Sequence, residues 1–122
     1  MKDNSTKESC KRVVILDYGV GNLLSVESAI RHLGVDEVSI SADPNEIAKA
    51  HYLILPGVGA FADAMRKLSE QYLIEPIINF AQTGKPILGI CLGMQMLMSI
   101  SEEFGLHQGL DFIKGKVISF KC

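Results

Sequence analysis

The sequence is poor in the residues and segments that mark several large classes of protein. It has no tryptophan and only three cysteines among 122 residues, an odd number without metal-like spacing. Its 12 basic residues stand against 14 acidic ones, a formal net charge of −2, which provides no basic field for nucleic acid. No apolar run approaches the roughly 18 residues of a membrane span. We therefore expect a cytoplasmic protein with no metal, nucleic-acid or membrane partner.

The first residues look different from the rest of the chain. Residues 1–12 are polar and lack the apolar segment of a signal peptide. We interpret them as a disordered leader. Residues 13–122 then form one small domain, in a chain that is 48% hydrophobic.

Short apolar segments alternate along the chain with segments of helical periodicity. The predicted strands cover residues 13–16, 37–40, 52–55 and 116–120, with another ending just before Cys91; the predicted helices cover 23–33, 61–72, 74–82 and 92–103, with a short helix opened by Asp43 and Pro44. This alternation predicts an α/β fold, a parallel-sheet sandwich with helices on both faces. Ligands bind such sheets at the carboxyl ends of the strands. Three loops, residues 17–22, 56–60 and 91–93, are expected to converge there.

The most informative segment is the Gly-x-Cys-x-Gly motif of residues 89–93. An apolar strand ends at this motif and passes directly into a helical pattern, which places Cys91 on a sharp turn. The arrangement is typical of a nucleophile elbow, with cysteine as the nucleophile. The start of the following helix favours thiolate over thiol. The alternative interpretation is that the two glycines serve close packing alone.

Residues around Cys91 suggest how a substrate is held. In the segment Pro56-Gly57-Val58-Gly59, two glycines allow a turn that aims N–H groups into a cleft. The N–H groups of Val58 and Leu92 are candidates for an oxyanion hole, although a flexible turn explains the same glycines. Gln95 lies one helical turn after Cys91 and on the same face, where it either contacts a ligand or reaches solvent.

A base for the cysteine is hard to find in this sequence. His32 closes the first helix and His51 precedes the third strand, at the opposite edge of the sheet. His107, in a glycine-rich loop, is the only arguable base. No convincing triad of cysteine, histidine and acid can be assembled from these residues.

Gly19 and Gly21 raise the alternative of a nucleotide-binding loop. A dinucleotide fingerprint requires a third glycine where this sequence has Leu24. A tight turn with Asn22 as the helix cap is the favoured interpretation. No cofactor is therefore expected.

Four motifs together resemble the class I (triad-type) glutamine amidotransferases, whose fold is flavodoxin-like. They are Asp-Tyr-Gly-Val-Gly-Asn-Leu at 17–23, Leu-Pro-Gly-Val-Gly-Ala-Phe at 55–61, Gly-Lys-Pro at 84–86 and Leu-Gly-Ile-Cys-Leu-Gly-Met-Gln at 88–95. The first two narrow the resemblance to the glutaminase subunits of imidazole glycerol phosphate synthase, from histidine biosynthesis. The resemblance extends over residues 13–120.

This resemblance implies a mechanism and a partner. Cys91 would attack the side-chain amide of glutamine, form a glutamyl thioester and release ammonia. The N–H groups of Val58 and Leu92 would form the oxyanion hole, and Gly57 and Gln95 would hold the substrate. Ammonia would pass to a separate cyclase subunit in a heterodimer. The glutaminase is expected to be almost idle until that partner binds, and the loop containing Asn22 is expected to face it.

The sequence departs from the family at its carboxyl end. The family's catalytic histidine and glutamate lie further downstream than Cys122, so the last strands are expected to be missing and the chain by itself to be inactive. An exposed apolar sheet edge is then expected to cause self-association or instability.

Other functions stay open at this point. One is a non-catalytic protein that binds glutamine or the cyclase. Another is an amidotransferase of a different pathway, such as surface-sugar amidation. Anthranilate or aminodeoxychorismate synthesis fits residues 17–22 poorly.

Overall fold

A parallel β-sheet forms the centre of the protein. The computed structural model describes residues 11–120; Cys10, Cys122 and most of the predicted leader lie outside them. Within these residues the central sheet has four strands, β1 (Val13–Leu16), β2 (Val38–Ser41), β3 (Tyr52–Leu55) and β4 (Ile87–Gly89), in the order β2-β1-β3-β4. Each neighbouring pair is parallel. The predicted α/β class is confirmed.

Strand β1 shows why the sheet is apolar on both faces. All four of its side chains are buried. Because successive side chains of a strand point to opposite faces, Val14 and Leu16 join one core cluster while Val13 and Ile15 join the other. The continuous apolar run therefore forms a strand covered on both sides, as parallel sheets require.

Helices cover both faces of this sheet, as predicted. Along the described residues they are α1 (Leu23–His32), α2 (Pro44–Lys49), α3 (Phe61–Glu70), α4 (Ile74–Gln82) and α5 (Leu92–Met96). Helix α1 packs Leu23, Val26 and Ile30 against one face, and the other four helices contribute to the core on the opposite face. Asp43 caps α2 as expected, because its carboxylate accepts the Asn45 N–H at 2.9 Å.

Arg12 is hydrogen-bonded to the chain at the start of β3. Its N–H donates to Nδ1 of His51 at 2.9 Å. Its carbonyl accepts the N–H groups of His51 and Tyr52 at 2.9 and 3.2 Å. Residues 1–10 of the predicted leader lie outside the described part of the chain.

Helix α5 is much shorter than predicted. It ends at Met96 instead of continuing to residue 103. The chain then forms a second sheet from β5 (Met98–Ser101), β6 (His107–Gln108) and β7 (Ile113–Val117), in the order β6-β5-β7. Strand β7 also replaces the strand predicted at residues 116–120.

Competition for backbone carbonyls explains why α5 stops. The Met96 carbonyl accepts the Leu110 N–H at 2.8 Å, and the Leu97 carbonyl accepts the Phe112 N–H at 2.9 Å. A longer helix would need these carbonyls for its own ladder. Gly109 makes the approach possible, because a Cβ at this position would lie against the carbonyl oxygen of Met98.

An apolar groove lies on the α1 side of the sheet, beside β4. It has a volume of about 630 Å³, and its lining includes Val13, Ile30, Val35, Ile54 and Leu88. The Leu88 residue is 55% exposed, and β4 is the edge strand of the sheet in the part of the chain that the structure describes. An unpaired edge beside an exposed apolar surface favours association with other chains.

We expect the chain to self-associate through this groove. The replacement Leu88→Lys should shift the population toward monomer, because it places a charge on the apolar surface. Sedimentation velocity over a range of protein concentrations measures the effect. Leu24→Lys, at a 72% exposed position on α1, is the matched control and should change nothing. A wild-type chain that stays monomeric at all concentrations contradicts the prediction.

Candidate active site

Cys91 lies on a strained turn between β4 and α5. Its backbone has φ +56° and ψ −120°, a conformation that residues other than glycine rarely adopt. Hydrogen bonds fix the turn on both sides. The Ile90 N–H donates to the Leu55 carbonyl at 3.0 Å, and the Cys91 carbonyl accepts the Met94 N–H at 2.9 Å. The cysteine is exposed, so its sulfur is presented to solvent at the carboxyl edge of the sheet, as a nucleophile elbow requires.

The two glycines of the motif are required by close backbone contacts. A Cβ at Gly89 would lie 2.7 Å from the Cα of Met94. A Cβ at Gly93 would overlap the carbonyl oxygen of Leu55. Close packing is therefore their local role, and it is the condition for holding Cys91 at the turn.

The loop after β3 lies directly against this elbow. A Cβ at Gly57 would lie 3.0 Å from the N of Gly93 and 3.1 Å from the Cβ of Leu92. The Gly57 carbonyl accepts the Leu92 N–H at 3.2 Å. Because the carbonyl and N–H of a trans peptide point in opposite directions, the Val58 N–H is directed away from Leu92. The structure brings the two predicted oxyanion residues together, but in this conformation their N–H groups do not converge.

Tyr18, from the loop after β1, joins the elements of the site. It is only 1% exposed. Its hydroxyl donates to the Pro56 carbonyl at 2.7 Å and lies 3.4 Å from the sulfur of Met96. Its backbone carbonyl accepts the Gln71 side-chain amide at 2.8 Å. The sequence motifs assigned Tyr18 no role of its own, although a polar aromatic residue two positions after a buried strand signals a buried hydroxyl that needs a partner.

Asn22 and Gln95 occupy the predicted positions. Asn22 is the N-cap residue of α1, but its side chain makes no cap hydrogen bond, so the predicted capping interaction is wrong. Its exposed side chain faces solvent. Gln95 is half-buried, and its N–H donates to the Cys91 carbonyl at 3.3 Å. It therefore follows the cysteine by one helical turn.

The histidines are held by contacts away from the cysteine. His51 accepts the Arg12 N–H. His107 makes a 3.0 Å contact from Nε2 to the Phe104 carbonyl and lines a cleft with Met65 and Arg66 on α3. Among residues 11–120, no hydrogen bond joins a histidine to Cys91. The candidate base of the sequence analysis is therefore not brought to the nucleophile.

Glu103 makes a second contact that the sequence patterns did not reveal. Its carboxylate accepts the Phe61 N–H at 3.2 Å, at the first residue of α3. Helix α3 has no side-chain cap from its own N-cap residue, Ala60. A carboxylate at a helix N-terminus satisfies a free N–H and complements the helix dipole. Glu103 therefore anchors the far end of the loop that begins at Pro56.

Two kinds of site are not found in residues 11–120. No group of three or more His, Cys, Asp or Glu side chains is placed to hold a metal ion. No helix is long and apolar enough to cross a membrane.

Comparison with known proteins shows which family the chain resembles. Residues 14–118 match the family described as Glutamine amidotransferase class-I. An "Imidazole glycerol phosphate synthase subunit HisH 1" of Legionella pneumophila (strain Paris) is 56% identical over 107 residues, which are 88% of this chain and 50% of that protein. Subunits HisH of Sulfurimonas denitrificans and Methanosarcina barkeri are 55% and 56% identical over 88% and 90% of this chain, and 52% and 53% of their own length. The chain thus spans about half the length of these curated relatives.

The contact at Gly93 predicts a large effect on stability. We expect Gly93→Ala to lower the free energy of unfolding by about 3 kcal/mol or more, because the methyl group overlaps rigid backbone. Gly59→Ala is the control: its φ is +100° but its Cβ meets no atom within 4 Å, so only a conformational cost of about 1–2 kcal/mol applies. Urea unfolding measures both. Equal losses in the two variants would contradict the prediction.

The buried tyrosine predicts a loss of stability at alkaline pH. Burial raises the pKa of Tyr18 to about 12, because it disfavours the charged phenolate. The contribution of the neutral, buried Tyr18 to the free energy of unfolding is fully present below the unfolded-state pKa of about 10. This contribution is lost as the pH rises from about 10 to about 12, by up to about 1.4 kcal/mol per pH unit, because tyrosine in the unfolded chain releases its proton first.

Urea unfolding at a series of pH values tests this. The extra alkaline loss should disappear in Tyr18→Phe and persist in Tyr72→Phe, whose side chain is exposed. The same alkaline slope in wild type and Tyr18→Phe contradicts the assignment.

Proposed function

The chain belongs to the class I glutamine amidotransferase family, and we propose that it acts as the glutaminase part of imidazole glycerol phosphate synthase, with Cys91 as nucleophile. The strained, exposed cysteine on the turn between β4 and α5 is the observation that carries this proposal. The strand order 2-1-3-4 adds support. Sheets of this order bind ligands at the switch point between β1 and β3, and the loops after β1 and β3 lie there.

The proposed chemistry is an acyl transfer in two steps. The Cys91 thiolate attacks the side-chain amide carbon of glutamine, and the carbonyl electron pair moves onto oxygen. The carbon–nitrogen bond then breaks, nitrogen takes up a proton from water and leaves as ammonia, and a glutamyl thioester remains on Cys91. A second water molecule attacks the thioester and gives up its two protons to solvent, which releases glutamate as a carboxylate and restores the thiolate. No cofactor takes part.

The oxyanion of each step needs hydrogen-bond donors, which we assign to the Leu92 and Val58 N–H groups. Because the Leu92 N–H donates to the Gly57 carbonyl, this role requires the Gly57–Val58 peptide to rotate. The rotation frees the Leu92 N–H and turns the Val58 N–H toward the elbow. A glycine at position 57 eases such a change. Loss of one oxyanion donor typically costs about 10²- to 10³-fold in rate, so the conformation described above is a slow one.

Substrate binding falls to groups that surround the sulfur. Gly57 lies in the loop that packs directly against the elbow. Gln95 is half-buried one turn after Cys91, and its amide can both donate and accept hydrogen bonds. We assign these two residues to glutamine.

The proposal includes a partner and a compartment. The loop of residues 17–22 is assigned to the face that contacts a cyclase subunit, which receives the ammonia. In this loop the Asn22 side chain is exposed and makes no cap hydrogen bond. The cytoplasm is the compartment in which both would work. The relatives with which this chain aligns carry the name of that synthase.

A second candidate is a non-catalytic protein that binds glutamine or the cyclase. The occupied Leu92 N–H and the position of His107 favour it. On either reading the chain by itself has little turnover of glutamine. The two candidate functions are distinguished by a reaction of Cys91 that needs no separate base or acid.

Acylation of Cys91 by an activated ester is that chemistry. The mono-4-nitrophenyl ester of glutaric acid has the acyl chain of glutamine without the amino group, which prevents cyclisation to a lactam. The Cys91 thiolate attacks its carbonyl, and 4-nitrophenolate leaves without protonation. A chain with Cys10→Ser and Cys122→Ser keeps Cys91 as its one cysteine.

We expect nitrophenolate release that exceeds the rate with the urea-unfolded chain and disappears in Cys91→Ala. The corresponding adipic ester is one methylene longer. Its rate should be lower by a factor of about 10 or more, because a pocket for the glutamine side chain discriminates by length. Absorbance of nitrophenolate and mass mapping of the acyl group on Cys91 measure the reaction. Equal rates for the two esters, or a rate no higher than that of the unfolded chain, would argue against a glutaminase site.

A further inference from the structure

We propose that the buried hydroxyl of Tyr18 is a positioning group for the oxyanion loop. It holds the Pro56 carbonyl so that movement of the loop is confined to the next peptide, Gly57–Val58. The inference rests on the proposed function, since it concerns the loop assigned to the oxyanion. It adds a residue from the loop after β1 to a site otherwise formed by β3, β4 and α5.

The two carbonyls at the start of this loop are held very differently. The Pro56 carbonyl accepts a buried 2.7 Å hydrogen bond from the Tyr18 hydroxyl. The Gly57 carbonyl accepts a 3.2 Å bond from the Leu92 N–H. The first bond has the usual length of an O–H···O bond, whereas the second is at the long end of the range for N–H···O and occupies the donor that catalysis needs. The peptide before Gly57 is therefore the fixed end of the loop, and the peptide after Gly57 is the one able to turn.

Tyr18 is itself held from a second direction. Its carbonyl accepts the Gln71 amide from the end of α3. Helix α3 begins immediately after the oxyanion loop, and its first N–H is anchored by Glu103. Tyr18 thus connects the start of the loop to the far end of the helix that follows it.

The hydroxyl also lies between the loop and the elbow helix. It is 3.4 Å from the Met96 sulfur on α5, and a Cβ at Gly57 would lie only 2.9 Å from it. A hydroxyl has one proton to donate, and a thioether is a weak acceptor, so the short bond to Pro56 takes that proton. Removal of the oxygen leaves the aromatic packing in place but frees the Pro56 carbonyl to move with the rest of the loop.

The test compares two reactions of the same cysteine. Acylation of Cys91 by the glutaric nitrophenyl ester passes through an oxyanion, whereas alkylation by iodoacetamide forms none. In the full chain with Cys10→Ser and Cys122→Ser, Tyr18→Phe should lower the acylation rate about 10-fold, the effect of one lost positioning hydrogen bond. The alkylation rate should stay within about twofold of wild type, because the elbow is unchanged. Tyr72→Phe should leave both rates unchanged.

Each other outcome overturns the inference. Acylation at the wild-type rate in Tyr18→Phe means that the hydroxyl does not position the loop. An equal fall of both rates means that Tyr18 only supports the packing around Cys91. If the wild-type chain is acylated no faster than the unfolded chain, the proposed function is contradicted as well. This outcome is seen in the wild type, whereas the two outcomes above are seen in Tyr18→Phe.

A milder variant serves if Tyr18→Phe does not fold, as judged by circular dichroism. Gln71→Met removes the donor to the Tyr18 carbonyl at an exposed position and keeps the hydroxyl. We expect a selective fall in acylation of about threefold, with alkylation unchanged. Acylation at the wild-type rate in Gln71→Met would then overturn the inference.

Discussion

The site depends on a contact between two backbones that leaves no room for a side chain. The loop after β3 passes so close to the first turn of α5 that a Cβ at Gly93 would overlap the Leu55 carbonyl, and a Cβ at Gly57 would press on Leu92 and Gly93. This contact allows the Ile90 N–H to reach the Leu55 carbonyl and the Leu92 N–H to reach the Gly57 carbonyl. Without it, the turn at Cys91 would have nothing to hold it in a strained conformation.

The order of the strands places this contact where a ligand is able to use it. In the order β2-β1-β3-β4, the chain leaves β1 toward one face and β3 toward the other, since α1 lies on one side of the sheet and α3 on the opposite side. The two loops start side by side at the carboxyl edge, where Gly21 lies against Pro56, and this is the switch point at which such sheets bind ligands. The Tyr18 side chain is buried there against the loop after β3. Cys91 lies on the turn that follows the neighbouring strand, β4.

The parts of the structure that the sequence predicted are those set by local rules. The apolar run of β1 forms a strand covered on both faces, and Asp43 with Pro44 opens a helix because the side chain and ring act on their own backbone. The Gly-x-Cys-x-Gly motif marks the elbow because its glycines and cysteine lie within five residues, although the contact that requires Gly93 is with Leu55 of β3.

The features that the sequence patterns missed have non-local causes. Helix α5 is short because carbonyls at Met96 and Leu97 are taken by residues more than ten positions later, which no periodicity reveals. The Tyr18–Pro56 hydrogen bond joins loops that follow two separate strands. Likewise, the state of the Leu92 N–H depends on the orientation of one peptide in another loop.

The orientation of the Gly57–Val58 peptide also sets the energy scale on which the proposed glutaminase activity would be controlled. A backbone hydrogen bond such as the one between the Leu92 N–H and the Gly57 carbonyl makes a net contribution of about 1 kcal/mol. In the blocked form this bond is made, and in the open form it is broken. A ligand that prefers the open form by about 5.5 kcal/mol changes the ratio of open to blocked molecules from about 1:99 to 99:1. A partner or substrate that contacts the loops after β1 and β3 is able to supply such a difference through a few interactions. The rotation stays small only if the neighbouring peptide is fixed. A buried hydroxyl on the Pro56 carbonyl meets that condition, because it restricts the change to one peptide and leaves the core of the domain undisturbed.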